Sequence, residues 1–370
     1  MSSKVYFANM RANKHSESLV AKLSKLFYKA GFHEMYDTDE LVALKLHFGE
    51  EGNTGFIRPI YIRRLVQELK KAETKPFLTD ANTLYVGTRA NSVDHLNTAI
   101  RNGFSYATVD APLIIADGLT GKSYREIPIK GNHFDSVKIG SEVMDADGMI
   151  AISHVKGHAV TGFGGAFKNV GMGLGSRSGK QMMHSTVLPN ISEEDCVKCQ
   201  RCVKWCPADA IIIAESESRI DEEKCIGCGE CVVSCRDKAI GINWKAESEG
   251  VMERMVEYTL GIVQDREEKM GYINFIMNVT PDCDCCGWSD KPIVHDIGIL
   301  ASKDPVAIDK ASLDLVNQQE GIKGTALEKN FEPGADKFAG VHAGIDSEHL
   351  VRYAEELGMG TTDYELVEID

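Results

Sequence analysis

The chain of 370 residues carries 41 Lys and Arg against 55 Asp and Glu, a net charge of −14, with 43% apolar and 26% charged residues. These values fit a globular protein of about two domains, and the excess acid disfavours nucleic acid and anionic membrane surfaces as partners. No apolar run approaches the ~20 residues of a membrane span, and the start MSSKVYFANMRANKHS lacks the apolar core of a secretory signal, so a cytoplasmic location is expected.

In chain order, residues 4–9 read as a short strand. Residues 16–31 read as a helix, with Ser16 as N-cap, Leu19, Leu23 and Leu26 on one face and Gly31 as its stop. Residues 41–48 alternate like a strand. Residues 59–72 are helical, with Pro59 in the first turn and Leu65 and Leu69 on a shared face. A strand at 76–80, a helix at 93–103 and short buried strands at 112–116 and 149–153 follow. The same grammar returns later, with a helix at 249–267, strands at 272–279 and 297–301, and a helix at 305–319 capped by Asp304. Strands alternating with helices predict an α/β fold, a mainly parallel sheet with helices on both faces.

The cysteines divide the chain. Residues 1–190 hold none, eight lie between Cys196 and Cys235, and Cys283, Cys285 and Cys286 form a third group. The expected organisation is one α/β domain built from 1–190 and 245–370, with residues 191–244 inserted into it. In a reducing compartment such clustering points to metal or redox chemistry rather than disulfides.

Cys196, Cys199, Cys202 and Cys206 follow the spacing C-x2-C-x2-C-x3-C before Pro207, and Cys225, Cys228, Cys231 and Cys235 repeat it. Each run places three thiolates around one 4Fe–4S cube and sends its fourth cysteine to the other cube. Cys196, Cys199, Cys202 and Cys235 would hold the first cluster. Cys225, Cys228, Cys231 and Cys206 would hold the second. Two zinc sites are the competing assignment, against which the doubled triple spacing and Pro207 speak. The segment resembles the bacterial two-cluster ferredoxins over about 50 residues, departing from them at Arg236, where the pattern usually has proline.

The second informative stretch follows the strand at 149–153. It runs from His154 and His158 through a Gly-rich stretch to Lys168, Asn169 and Gly171. Carboxyl ends of parallel strands are where open α/β sheets place ligands, and glycines let backbone approach them closely. His154, His158 and Lys168 are the candidate catalytic residues, suited to acid–base or metal chemistry. Gly179-Lys180 is followed by Gln181, and Leu174 stands where a Walker loop needs glycine, so no such loop is read here. Other polar turns at strand ends point to the same cleft: Lys45 and His47, Asp80 and Asn82, then Arg89. Arg58, Asp80, Asn82 and Asn169 are the candidate cleft residues, and Arg58 and Lys168 could pair with a carboxylate or phosphate.

On His154 and His158, the run through Lys168-Asn169-Val-Gly171, the turn Asp80-Ala-Asn82 and the ferredoxin-type segment, nearly the whole chain resembles the domain of unknown function 362 family. Members look like iron–sulfur proteins of anaerobic bacteria and archaea, so the resemblance implies a redox role and no substrate. A shorter similarity links His154-x3-His158-x3-Gly162-Phe-Gly-Gly165-x2-Lys168 to the Gly-Gly-Arg-Lys segment of the nickel-pincer lactate racemases, which tether their cofactor to a lysine there. Ala166 and Phe167 break that order here. This similarity implies a loop facing a ligand cleft and carries no expectation of nickel.

Three readings stay open for Cys283, Cys285 and Cys286: a zinc site completed by His295 or an acid, a third iron–sulfur cluster, or a redox dithiol. The expected function is an oxidoreductase. Electrons from a soluble redox partner protein pass through two 4Fe–4S clusters to a small-molecule ligand or metal in the α/β domain. The alternatives are a ferredoxin-like carrier or docking module, and a redox sensor. A homodimer is compatible with the sequence.

Overall fold

Every residue of the strand Gly148–His154 is buried, and its side chains alternate between two cores. Met149 and Ala151 enter one, Ile150 and Ile152 the other. Leu41–Lys45 does the same, with Ala43 on the first side and Val42 and Leu44 on the second. A strand buried on both faces reads as a continuous apolar run, because helices cover each face of a parallel sheet. The computed structural model describes residues 2–84, 87–184, 188–214, 217–225, 230–235, 237, 239–242 and 248–369.

Eight strands form the sheet, in the order Tyr364–Glu368, Ser3–Asn9, Gly298–Ser302, Met270–Ile276, Gly148–His154, Leu41–Lys45, Lys75–Asp80 and Leu113–Ile115. All neighbours run parallel except Gly298–Ser302, which is antiparallel to both of its partners. The mainly parallel α/β architecture is therefore present. Strands from the two halves of the chain share one sheet: Met270–Ile276 pairs with Gly148–His154, and Tyr364–Glu368 with Ser3–Asn9. Helices Leu19–Lys29 and Pro59–Lys71 pack on one face, where Leu23, Leu26, Leu65 and Leu69 are buried. Helices Ser248–Val263, Pro305–Asn317 and His349–Glu356 cover the other.

Local chemistry sets most boundaries. Asp304 caps Pro305–Asn317 by accepting from the N–H groups of Val306 and Ala307. One cap expectation is corrected. Ser18, not Ser16, caps the first long helix and accepts from the N–H of Ala21, because residues 15–17 form a separate 3-10 turn. Gly31 ends that helix region in the left-handed conformation that glycine adopts without strain.

Within the cysteine-rich segment, Pro189–Ile191 pairs antiparallel with Ile240–Ile242, so the segment leaves and returns at adjoining points. Between them lie the pair Ile211–Ile213 with Ser218–Ile220 and the short helices Arg201–Trp205 and Glu230–Ser234. Cys202, Ile211, Cys231, Val232 and Ile240 form its own apolar core, joined by Leu84 of the α/β domain. Among the described residues no helix is long and apolar enough to cross a membrane.

Candidate functional site

The carboxyl ends of Leu41–Lys45, Lys75–Asp80 and Gly148–His154 open onto one cavity of about 330 Å³. This is where parallel strands place ligands, and the volume suits a small molecule. Its floor is an ionic cluster. Lys45 meets Asp80 at 3.0 Å and donates to Asn169 Oδ1 at 2.8 Å. Arg89 pairs with Glu50 at 3.1 Å and with Asp80 at 3.5 Å. Burial alone would raise the carboxyl of Asp80, yet Lys45 and His95 outweigh it and hold the group well below the usual range. Burial, reinforced by Arg89, keeps His47 neutral.

The Gly-rich stretch is a small hairpin, Lys156–His158 against Gly162–Gly164, followed by a π-helical turn over Lys168–Met172. Several of its glycines leave no room for a Cβ, and two of them bear on the site. A Cβ at Gly165 would stand 2.3 Å from Oδ1 of Asp309, the carboxylate that accepts from the N–H groups of Ala166 and Phe167. A Cβ at Gly157 would stand 2.1 Å from the carbonyl oxygen of Pro281. That second approach brings the hairpin onto the third cysteine group.

Ligand atoms of His158, Cys283 and Cys285 all lie within 4.8 Å of one another. Thr161 Oγ1 lies 3.0 Å from His158 Nδ1, and the N–H groups of Thr161 and Val160 approach that nitrogen at 3.2 and 3.3 Å, which leaves Nε2 for the cavity. Burial, then the charge of Lys168, pushes His158 well below its ordinary pKa, so the ring is neutral as a metal ligand must be. Lys168 Nζ sits 3.0 Å from Cys283 Sγ. The Cys285 thiol, then burial, pushes the Cys283 thiol well up. The hydrogen bond from its neighbour Cys285 pulls the Cys286 thiol down.

Gly157→Ala should separate these partners. Overpacking of this kind costs about 1–3 kcal/mol. Thermal unfolding is expected to show the loss, and added zinc is expected to restore less stability than it gives the unaltered chain. Equal melting and equal zinc response would refute the close-approach argument.

The sequence-predicted residues divide between the cavity wall and its surroundings. His158, Lys168, Asp80 and Asn169 line the cavity, as do Lys45, His47 and Arg89. His154 lies behind the wall, with Nδ1 2.9 Å from Asp284 Oδ2 and Nε2 3.0 Å from the Met277 and Asn278 carbonyls. Asn82 is buried outside the cavity and donates to Asp117 Oδ1 and the Gly118 carbonyl. Arg58 is exposed at the start of Pro59–Lys71. His295 is exposed, and His158 takes the place expected for it beside the thiols. Cys286 is half-buried and lies outside the three-residue group. Asp284, Lys156, Lys180 and His184 escaped the sequence reading. Asp284 anchors His154 and Lys156, Lys180 lines the cavity, and His184 does so too. The signal for Asp284 was available, an acid flanked by two cysteines. Lys180 had none once the Walker pattern failed.

In the cysteine-rich segment, Cys196, Cys199, Cys202 and Cys235 line a second, smaller cavity together with Ile191, Ile213 and Ile240. These are the four cysteines that the crossed pairing assigns to the first cluster. Of the second set, Cys206, Cys225 and Cys231 are described and Cys228, like Arg236, lies outside the described residues. Cys206 Sγ accepts from the N–H of Ala210 at 3.2 Å. The segment docks beside the main cavity. Glu230 accepts from Lys138 at 3.1 Å and from the Tyr124 hydroxyl at 3.4 Å, and the Lys122 ammonium lies 3.8 Å over the Trp205 ring. Leu84 belongs both to the wall of the main cavity and to the apolar core around Cys202 and Cys231.

The sequence profile of the family described as Domain of unknown function (DUF362) matches residues 42–314, nearly three quarters of the chain. No curated protein sequence matches the chain at a significant level. Among solved structures, the lactate racemase apoprotein from Thermoanaerobacterium thermosaccharolyticum is similar over 86% of this chain, at 11% identity and a TM-score of 0.45. A protein from Thermotoga maritima solved by a structural genomics consortium is similar over 70%, at 12% identity and a TM-score of 0.33. The chain spans only 58% of the first structure and 50% of the second.

Proposed function

Starting from a chain that belongs to the DUF362 family, we propose an iron–sulfur oxidoreductase whose cysteine-rich segment feeds electrons to the cavity of the α/β domain. The observation that carries this reading is Leu84, shared by the cavity wall and the core around Cys202 and Cys231. An electron-carrying unit that served only outside partners would have no need to abut a ligand-sized cavity.

The residues fit the groups the reading needs. Cys196, Cys199, Cys202 and Cys235 surround one small cavity, the donor set of a 4Fe–4S cluster, and Cys206, Cys225, Cys228 and Cys231 form the second set. When bound, the two clusters would pass electrons one at a time from a soluble redox partner protein to the ligand. His158, Cys283 and Cys285 would hold a single divalent ion, and His158 and Cys285 also line the cavity. Lys168 would serve as a proton donor beside the ligand. Burial disfavours its charge, but the neighbouring Cys283 and Cys285 outweigh this and raise its pKa above the ordinary value. It therefore offers Nζ as a proton source beside the ligand, and each electron added there needs a proton to follow it. Asp284 and His154 position Lys156 and the cysteine turn from behind.

Anaerobic reduction of the protein by a viologen radical, followed by mixing with a panel of small organic acids and phosphates, tests this. The unaltered chain is expected to take up electrons and to be re-oxidised by one class of acid. Lys168→Gln is expected to take them up and keep them. Uptake without re-oxidation in both proteins would leave a carrier, and no uptake at all would end the redox reading.

A further inference from the structure

Five basic side chains line the main cavity: Lys45, Arg89, Lys156, Lys168 and Lys180. Three of them have carboxylate partners in Asp80, Glu50 and Asp284. Among the described residues, no carboxylate lies within the 4 Å of an ion pair from either Lys168 or Lys180. Lys180 is more than nine-tenths buried, and its Nζ donates to the Gly175 carbonyl at 2.6 Å and to the Gly173 carbonyl at 3.3 Å. Burial disfavours its charge, and Asp117 and Asp80 act on it only from beyond ion-pair distance. Lys168 Nζ has the Cys283 sulfur as its near partner. Each ammonium has three donors, so both keep N–H groups for something else. With Cys283 and Cys285 engaged by a divalent metal, the metal would offset their charge and leave Lys168 without an anion of its own.

Buried ammonium groups without counterions are costly, by several kcal/mol each. Two in one cavity call for an anion at each. The same cavity is also lined by the apolar side chains of Leu84, Met172, Val251 and Met255. We propose that the cavity takes an organic dicarboxylate with a short hydrocarbon body, one carboxylate against Lys168 and the other against Lys180. The assignment rests on the reading of this cavity as the ligand site of the α/β domain. It gives that site a substrate class: a small dianion whose middle carbons lie on apolar side chains.

Binding is measured by calorimetry on the intact, oxidised protein, with malonate, succinate, glutarate and adipate, and with butyrate and inorganic phosphate as comparisons. No electron transfer enters this measurement, so its failure and the failure of the redox reading are told apart. A charge-assisted pair is worth roughly tenfold or more in affinity. One member of the series is expected to bind at least about tenfold more tightly than butyrate, with a clear optimum in chain length. Lys168→Gln and Lys180→Gln are each expected to reduce that member to the level of butyrate. The chain-length optimum is read on the unaltered protein, so a variant that fails to fold leaves the test intact. Equal binding of butyrate and every dicarboxylate overturns the proposal. So do tighter binding of inorganic phosphate and the absence of any binding.

Discussion

Anaerobic purification is expected to yield about eight iron and about eight sulfide per chain, and Cys235→Ser is expected to remove about four of each. The cavity lined by Cys196, Cys199, Cys202 and Cys235 supports this expectation. Cys235 follows the helix Glu230–Ser234, far along the chain from the other three, so its loss tests the crossed pairing directly. Cys202→Ser should reproduce the same residual spectrum, while Cys206→Ser should leave the opposite half. If Cys235→Ser instead matched Cys231→Ser, the clusters would be uncrossed. Zinc in place of iron, with no sulfide, would remove the redox reading. The same analysis reports on the third group. About one further divalent metal is expected, lost in Cys283→Ser and His158→Ala and kept in Cys286→Ser, because Cys286 stands outside the group of three.

Asp284→Ala is expected to destabilise the fold by about 3–5 kcal/mol, the cost of leaving buried charges without their partner. The Asp284 side chain is 1% exposed, lies 2.9 Å from His154 and 3.4 Å from Lys156, and joins the cysteine turn to the sheet. Burial alone would raise its carboxyl, but His154 and Lys156 hold it far below the usual range. The direction of the pH effect follows. A carboxylate whose folded pKa is depressed contributes its full stability above its unfolded pKa of about 3.9. That contribution falls as the pH drops below this value. Urea unfolding of the intact chain should therefore weaken from about pH 4 downward, and Asp284→Ala should be weaker at pH 7 and less sensitive to acid. A change at pH 7 of under about 0.5 kcal/mol, the range of ordinary surface substitutions, would refute the role.

The sheet was legible because its strands obey strong rules. Residues 149–153 are apolar without interruption, and such a run between turn residues signals a strand covered on both faces. The repeated cysteine spacing grouped Cys196, Cys199, Cys202 and Cys235 as one set, and these four line one small cavity. The third site was less legible. Its partners come from the hairpin at His158 and the turn at Cys283, and only the sheet pairing of Met270–Ile276 with Gly148–His154 brings them together. The Gly-rich strand end marked His158 as a candidate, but nothing local marked it rather than the exposed His295 as the partner of the thiols. His154 illustrates the converse. It sits at a strand end beside the glycines, as a reacting group would, yet both ring nitrogens face acceptors behind the cavity wall. Sequence position located the neighbourhood, while the direction of the side chain depended on the packing of residues 277–284.

The antiparallel pair that closes the cysteine-rich segment bears on the order in which the protein assembles. Ile211 meets Ile220 close by in sequence, and Pro189 meets Ile242 across the segment, so every one of these contacts lies within the segment itself. The main sheet instead needs Tyr6 beside Ala301 and Ser3 beside Tyr364. Contacts of short range form early and those of long range late. During synthesis the segment emerges whole before the strand Met270–Ile276 exists. It can therefore fold on the nascent chain while the sheet still lacks that strand. The cysteines of the segment would then be in place before the cavity beside it is walled in.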